Sequence, residues 1–194
     1  MKRAIFILTL GLCLLLSDGA HAQRALPAMR GLEIRGGMAD GFYTRDSRSE
    51  TGYWFRLAMS RYAKNADKWV FGAEFLNRYY PYKSERIPVA QFTAEGGYYY
   101  KFLADPSRTF FFYLGGSALA GYESVNRGER RLYDGSTLRH RDRFLYGGAV
   151  TLEVDAYLTD RIILSLTGRE RILWGTTTGH FHAQFGLGVK FIIH

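Results

Sequence analysis

Residues 143–158 read RFLYGGAVTLEVDAYL. Phe144, Tyr146, Gly148, Val150, Leu152, Val154, Ala156 and Leu158 fall on one side of an extended chain. Arg143, Leu145, Gly147, Ala149, Thr151, Glu153, Asp155 and Tyr157 fall on the other. Alternation with a period of two gives a strand two chemically unlike faces. At this strand length it predicts a membrane barrel, with lipid against the apolar face and polar groups inside.

Working outward, the pattern recurs at 31–40, 51–62, 68–80, 91–103, 109–123, 161–173 and 181–193, which with 143–158 makes eight expected strands. No stretch with helical periodicity competes with them. The connections sort by length. Tight turns such as Lys64-Asn65-Ala66-Asp67, Asp105-Pro106-Ser107 and Thr159-Asp160 alternate with longer, charged segments at 41–50, 81–90, 124–142 and 174–180. Outer-membrane barrels have this asymmetry, with short periplasmic turns and longer outside loops. The expected fold is therefore an all-β, eight-stranded, antiparallel up-and-down transmembrane β-barrel. An even strand number places both termini in the periplasm. The seventh strand is the least regular: Glu170 interrupts the apolar phase of Ile162, Leu164, Leu166 and Gly168. Either a bulge shifts its register or the strand has left the membrane there.

The apolar phase carries Tyr53, Phe55, Leu57, Met59, Trp69, Phe71, Phe75, Phe92, Tyr98, Tyr100, Phe102, Phe110, Phe112, Phe181, Phe185 and Phe191 among others. Aromatic residues form 16% of the chain and gather near strand ends, as the girdles at a membrane boundary require. The opposite phase carries Glu33, Glu74, Glu95, Glu123, Glu153 and Asp155 against Arg35, Arg56, Arg78, Lys101, Arg169, Arg171 and Lys190. This near balance suits a narrow interior in which each charge must find a partner. An eight-stranded barrel has just enough interior to fill with side chains, so a plugged barrel is expected and a conducting pore is not. A soluble barrel with the apolar face inward shares the same alternation.

The chain is 194 residues long, a single domain by size. Residues 1–22 stand apart: Lys2 and Arg3 precede an apolar run from Ala4 to Leu16, and Ala20-His21-Ala22 forms a small-x-small cleavage site. This reads as a secretory signal peptide, leaving 23–194 as the barrel domain. Cys13 lies in that leader, between Leu12 and Leu14, which argues against acylation and leaves the mature chain without a disulfide. Beyond the leader no apolar run approaches the roughly 20 residues of a membrane helix. The formal charge of +8 falls to +7 once Lys2, Arg3 and Asp18 are removed. Those charges are spread through loops and strand faces, so no direct nucleic-acid binding is expected.

Candidate chemistry is sparse, and no cofactor is expected. An outer-membrane hydrolase resembling a lipid A deacylase needs a nucleophile, a base and an orienting acid, for which Ser165, His182 and Glu153 qualify by type. All three lie on the polar phase, whereas the site of such a deacylase faces the lipid, so they read as interior hydrogen-bonding groups. His180 and His182 form an H-x-H pair without an evident third ligand, so no metal site is expected. The 124–142 loop, SVNRGERRLYDGSTLRHRD, is the longest and most charged. It is either a solvated surface in contact with lipopolysaccharide phosphates or a docking loop for a partner, since long loops in compact proteins usually have a function.

Several segments carry a family resemblance. TAEGGY at 93–98, AGYESVNRGERRLYDGSTL at 120–138, YLTDRIILSLTGRERILWG at 157–175 and FGLGVKF at 185–191 resemble the TraO family of conjugative-transposon transfer proteins. The resemblance implies a non-enzymatic outer-membrane component of the apparatus that moves DNA between cells, in contact with other transfer proteins. It implies no catalytic residues. It also makes the loop residues Asn126, Arg127, Gly128, Glu129, Arg130, Arg131, Tyr133 and Asp134 the candidate partner-binding segment. A lipid-modifying enzyme and a structural or adhesive barrel unrelated to conjugation are the alternatives. One departure stands out: the chain ends Phe191-Ile192-Ile193-His194, without the terminal aromatic residue common in outer-membrane strands.

Overall fold

A computed structural model describes residues 24–40, 52–82, 85–125, 142–176 and 179–193. Eight strands run in chain order: β1 (Arg30–Ala39), β2 (Gly52–Tyr62), β3 (Lys68–Tyr82), β4 (Glu85–Ala104), β5 (Phe110–Val125), β6 (Asp142–Tyr157), β7 (Ile162–Trp174) and β8 (Phe181–Ile193). Every neighbour is antiparallel, and β1 pairs with β8 to close the barrel. Closure leaves no unpaired edge, which is the condition for crossing a bilayer in strands. The chain is thus a transmembrane-type β-barrel of the expected strand number and topology.

The alternation fixes which face is which. On β2 every second residue from Gly52 to Tyr62 is buried and those between are exposed. Phe71 is 58% exposed, Phe144 64% and Leu187 58%, while Glu33, Glu153 and Lys190 are fully buried. Apolar side chains cover the outside and charges fill the inside, so the soluble, lipocalin-like alternative is excluded. On the outer surface, a depression of about 540 Å³ lies over Ala73, Ala94 and Ala120 between rings such as Phe75, Phe92 and Phe144.

One connection differs from expectation. Segment 81–90 is not a loop: β3 and β4 stay paired from Lys68↔Tyr99 to Tyr82↔Glu85, a hairpin that outreaches its neighbours. Pro81 and Pro88 lie within these paired strands, where proline normally marks an end. Of the two alternatives for β7, the bulge is absent, because its register to β6 and β8 runs unshifted through Glu170. The bulge lies in β4 instead, between Lys101 and Leu103, and it leaves both Phe102 and Leu103 exposed.

The three tight turns and the ends of β1 and β8 share one end of the barrel, termed the turn end, where Arg30 pairs with Ile193. Asp67 holds the β2–β3 turn by accepting from the Tyr98 hydroxyl at 2.9 Å and the Lys101 amide at 2.8 Å. Asp105 accepts from the Thr109 and Phe110 amides, at 2.7 and 2.6 Å. Thr159 Oγ1 accepts from the Ile162 amide at 3.0 Å.

Candidate functional site

Inside the barrel an apolar plug at the turn end is followed by stacked layers of polar residues. At the turn end Tyr62, Tyr99, Phe111, Tyr113, Tyr157 and Ile163 pack together. The segment preceding β1 closes over them. Ala25 is buried in the cluster, and Arg24 reaches Asp160 at 3.2 Å while its guanidinium lies 5.4 Å from the centre of the Tyr157 ring.

The first charged layer follows. Lys68 Nζ lies 2.5 Å from Glu153 and 2.8 Å from Asp155, and 3.8 Å above the Tyr113 ring. Lys190 meets Asp155 at 2.7 Å, Glu153 at 3.2 Å and Glu33 at 3.5 Å. Arg35 joins Glu33 and Glu153, each at 2.8 Å, and donates to Thr167 Oγ1 at 2.5 Å. Glu33 bridges to the second layer through Arg56 at 3.7 Å. There Arg56 and Arg169 both pair with Glu95, and Arg169 and Arg171 share Glu74 at 3.2 and 2.9 Å. Gln184 donates to Glu74, and Gln91 donates to Glu123, each at 2.8 Å. Near the opposite mouth Arg78 pairs with Asp40, and His182 Nδ1 lies 2.8 Å from Arg78 and 3.1 Å from Asp40.

Of the interior residues named from sequence, Glu33, Arg35, Arg56, Glu74, Glu95, Glu123, Glu153, Asp155, Arg169, Arg171 and Lys190 are buried in these layers. Lys101 is half-buried beside the β4 bulge, and among the described residues no ion pair joins it to the network. Lys68 is a buried interior charge that the strand pattern does not mark. It shares its phase with Val70 and Glu74, but it opens β3 directly after a turn, where a lysine reads as solvated. Asp40 and Tyr62 stand at strand ends in the same way, whereas Tyr99 and Tyr113 lie within β4 and β5, where a tyrosine reads as part of the outer aromatic belt. The leader 1–22 and the loop residues Asn126, Arg127, Gly128, Glu129, Arg130, Arg131, Tyr133 and Asp134 lie outside the described residues.

The structure does not bring the hydrolase candidates together. Ser165 donates to Asp155 at 2.5 Å, and Glu153 is held by three cations. His182 pairs with Arg171 across β7–β8, six residues from Ser165, or roughly 20 Å along the strand. The H-x-H pair is also divided: His182 is buried, whereas His180 is exposed with Nδ1 2.8 Å from the Leu173 carbonyl oxygen.

This arrangement defines a class: an eight-stranded transmembrane barrel whose interior is occupied by ion-paired side chains. The chain belongs to the family described as conjugative transposon protein TraO, whose model matches residues 26–193. Its fold is similar to that of the Neisserial surface protein A, with a TM-score of 0.55 and 16% identity over 84% of this chain and 95% of that one. The attachment invasion locus protein Ail of Yersinia pestis, solved with the heparin analogue sucrose octasulfate, gives a TM-score of 0.57 and 9% identity over 87% of this chain and 100% of its own. No curated protein matches the chain.

Proposed function

We propose that this protein is a non-catalytic outer-membrane component of the conjugative transfer apparatus, acting through contacts made at its ends. The leader 1–22 directs export and is removed. The turn end and both termini face the periplasm, and the longer loops face outward. The single observation behind this reading is the filled interior. Side chains from all eight strands meet in a column of ion pairs and hydrogen bonds, so neither a DNA strand nor a substrate has room to enter. Function then falls to the loops, and within them to 126–141, whose arginines suit both lipopolysaccharide phosphates and acidic surfaces of partner proteins.

The test replaces 126–141 with a short Gly-Ser linker in donor cells. Transfer frequency is expected to fall sharply, while the barrel still shifts in gel mobility on boiling, as folded outer-membrane barrels do. Transfer at the full rate would remove the docking role. Absence of the mobility shift would remove the membrane barrel itself.

A further inference from the structure

The β1–β2 register sets two pairs of arginines directly opposite one another: Arg35 with Arg56, and Arg30 with Arg61. Like charges at directly paired positions repel. The barrel neutralises the inner pair with Glu33 and Glu153 on Arg35 and with Glu33 and Glu95 on Arg56. The outer pair has no such compensation: among the described residues no carboxylate forms an ion pair with Arg30 or Arg61.

Both outer arginines are exposed on the lipid-facing phase. Each lies two residues along its strand from a belt residue, Leu32 at 41% and Met59 at 53% exposure, so the pair stands at the margin of the apolar belt. The row continues on both sides, with Ile193 opposite Arg30 and Trp69 opposite Arg61. Trp69 packs edge-on against Tyr98, ring centres 4.9 Å apart, and such aromatic pairs mark the headgroup level of a bilayer. The register therefore sets Arg30 and Arg61 side by side on the outer face, at the level where lipid phosphates lie. Repulsion beside hydrocarbon is weakly screened, and an anion between the pair relieves it. The planar guanidinium fork also matches phosphate oxygens two at a time.

We propose that Arg30 and Arg61 bind the phosphodiester of an anionic phospholipid, with Trp69 lying along its glycerol and upper acyl region. The site rests on the proposed orientation, which puts the turn end in the phospholipid leaflet. The test reconstitutes the full barrel in phosphatidylcholine nanodiscs containing a minor share of phosphatidylglycerol and counts retained lipids by native mass spectrometry. Wild type is expected to retain phosphatidylglycerol severalfold above its share. Arg30→Gln and Arg61→Gln should each weaken the enrichment, and the double variant should abolish it with heat-modifiability intact. Equal enrichment in wild type and double variant, or none in wild type, overturns the site. Orientation is read separately by Ser107→Cys in the β4–β5 turn with a membrane-impermeant thiol reagent on intact cells. Protection is expected. Labelling would put the pair against the other leaflet and overturn the phospholipid assignment, whereas protection without enrichment would sink the site alone.

Discussion

Glu153 shows how single residues hold this fold. It is fully buried and contacts Arg35, Lys68 and Lys190 at once. Removing one member of a buried ion pair leaves its partners charged without compensation, at a cost on the order of 3–5 kcal/mol. Glu153→Ala should therefore lower urea resistance in vesicles by that amount, and a loss below about 1 kcal/mol would show the network to be redundant. Asp105 acts differently, at a turn outside the membrane. Partial burial raises its pKa, but the Ser107 hydroxyl and the Phe110 and Thr109 amides outweigh this and hold it below its usual value of 3.8. A carboxylate depressed on folding stabilises above its unfolded pKa, and that contribution fades as pH falls through the folded value. Asp105→Ala should cost about 1–2 kcal/mol at neutral pH. The gap to wild type should stay level down to about pH 5 and narrow in stronger acid; a gap that widens on acidification would refute the assignment.

At the scale of the strand, β5 contains a natural comparison. Gly115 faces inward, where a Cβ would meet the Tyr99 ring at 2.6 Å, whereas beside Gly116, which faces outward, nothing lies within 4 Å. Gly115→Val should overpack the turn-end plug and cost about 1–3 kcal/mol. Gly116→Val adds a β-branched residue to an open lipid-facing position and should be neutral or stabilising by about 0.5–1 kcal/mol. Unfolding midpoints of the two variants should therefore move apart, and equal destabilisation would contradict the assigned faces. The strands themselves were legible because a two-residue period is written into each of them, as in β2, where burial alternates without a break. What escaped depends on pairing between strands. The β3–β4 hairpin runs through Pro81 and Pro88, residues that read locally as loop signals, and cross-strand partners such as Tyr79↔Pro88 override them. Phe102 and Leu103 gave no local sign of the bulge, since two adjacent apolar residues suit either register. The pairing of Glu95 with Arg56 and Arg169 depends on three strands meeting across the barrel axis, which no single-strand pattern encodes.

For the whole molecule, the order of the layers decides whether anything passes through. An ion entering from the turn end meets the tyrosine plug under the Arg24 segment, then the Lys68–Glu153–Lys190 layer, then the Arg56–Glu95–Arg169 layer. Each layer is closed by contacts between opposite walls, so clearing one leaves the next in place. The prediction is that the purified barrel, inserted in a planar bilayer, gives no steady single-channel current. Tyr62→Ala combined with Tyr113→Ala should remain silent, because the charged layers behind the plug are intact. Conductance is expected only when both charged layers are breached as well, as in a variant that adds Lys68→Ala and Glu153→Ala in the first layer and Arg56→Ala and Glu95→Ala in the second. A stable open level in wild type would overturn the filled interior, and with it the assignment of function to the ends of the barrel. Silence in that combined variant would instead show that the remaining contacts, Glu33 with Arg35 and Lys190 and Glu74 with Arg169 and Arg171, suffice to close the barrel.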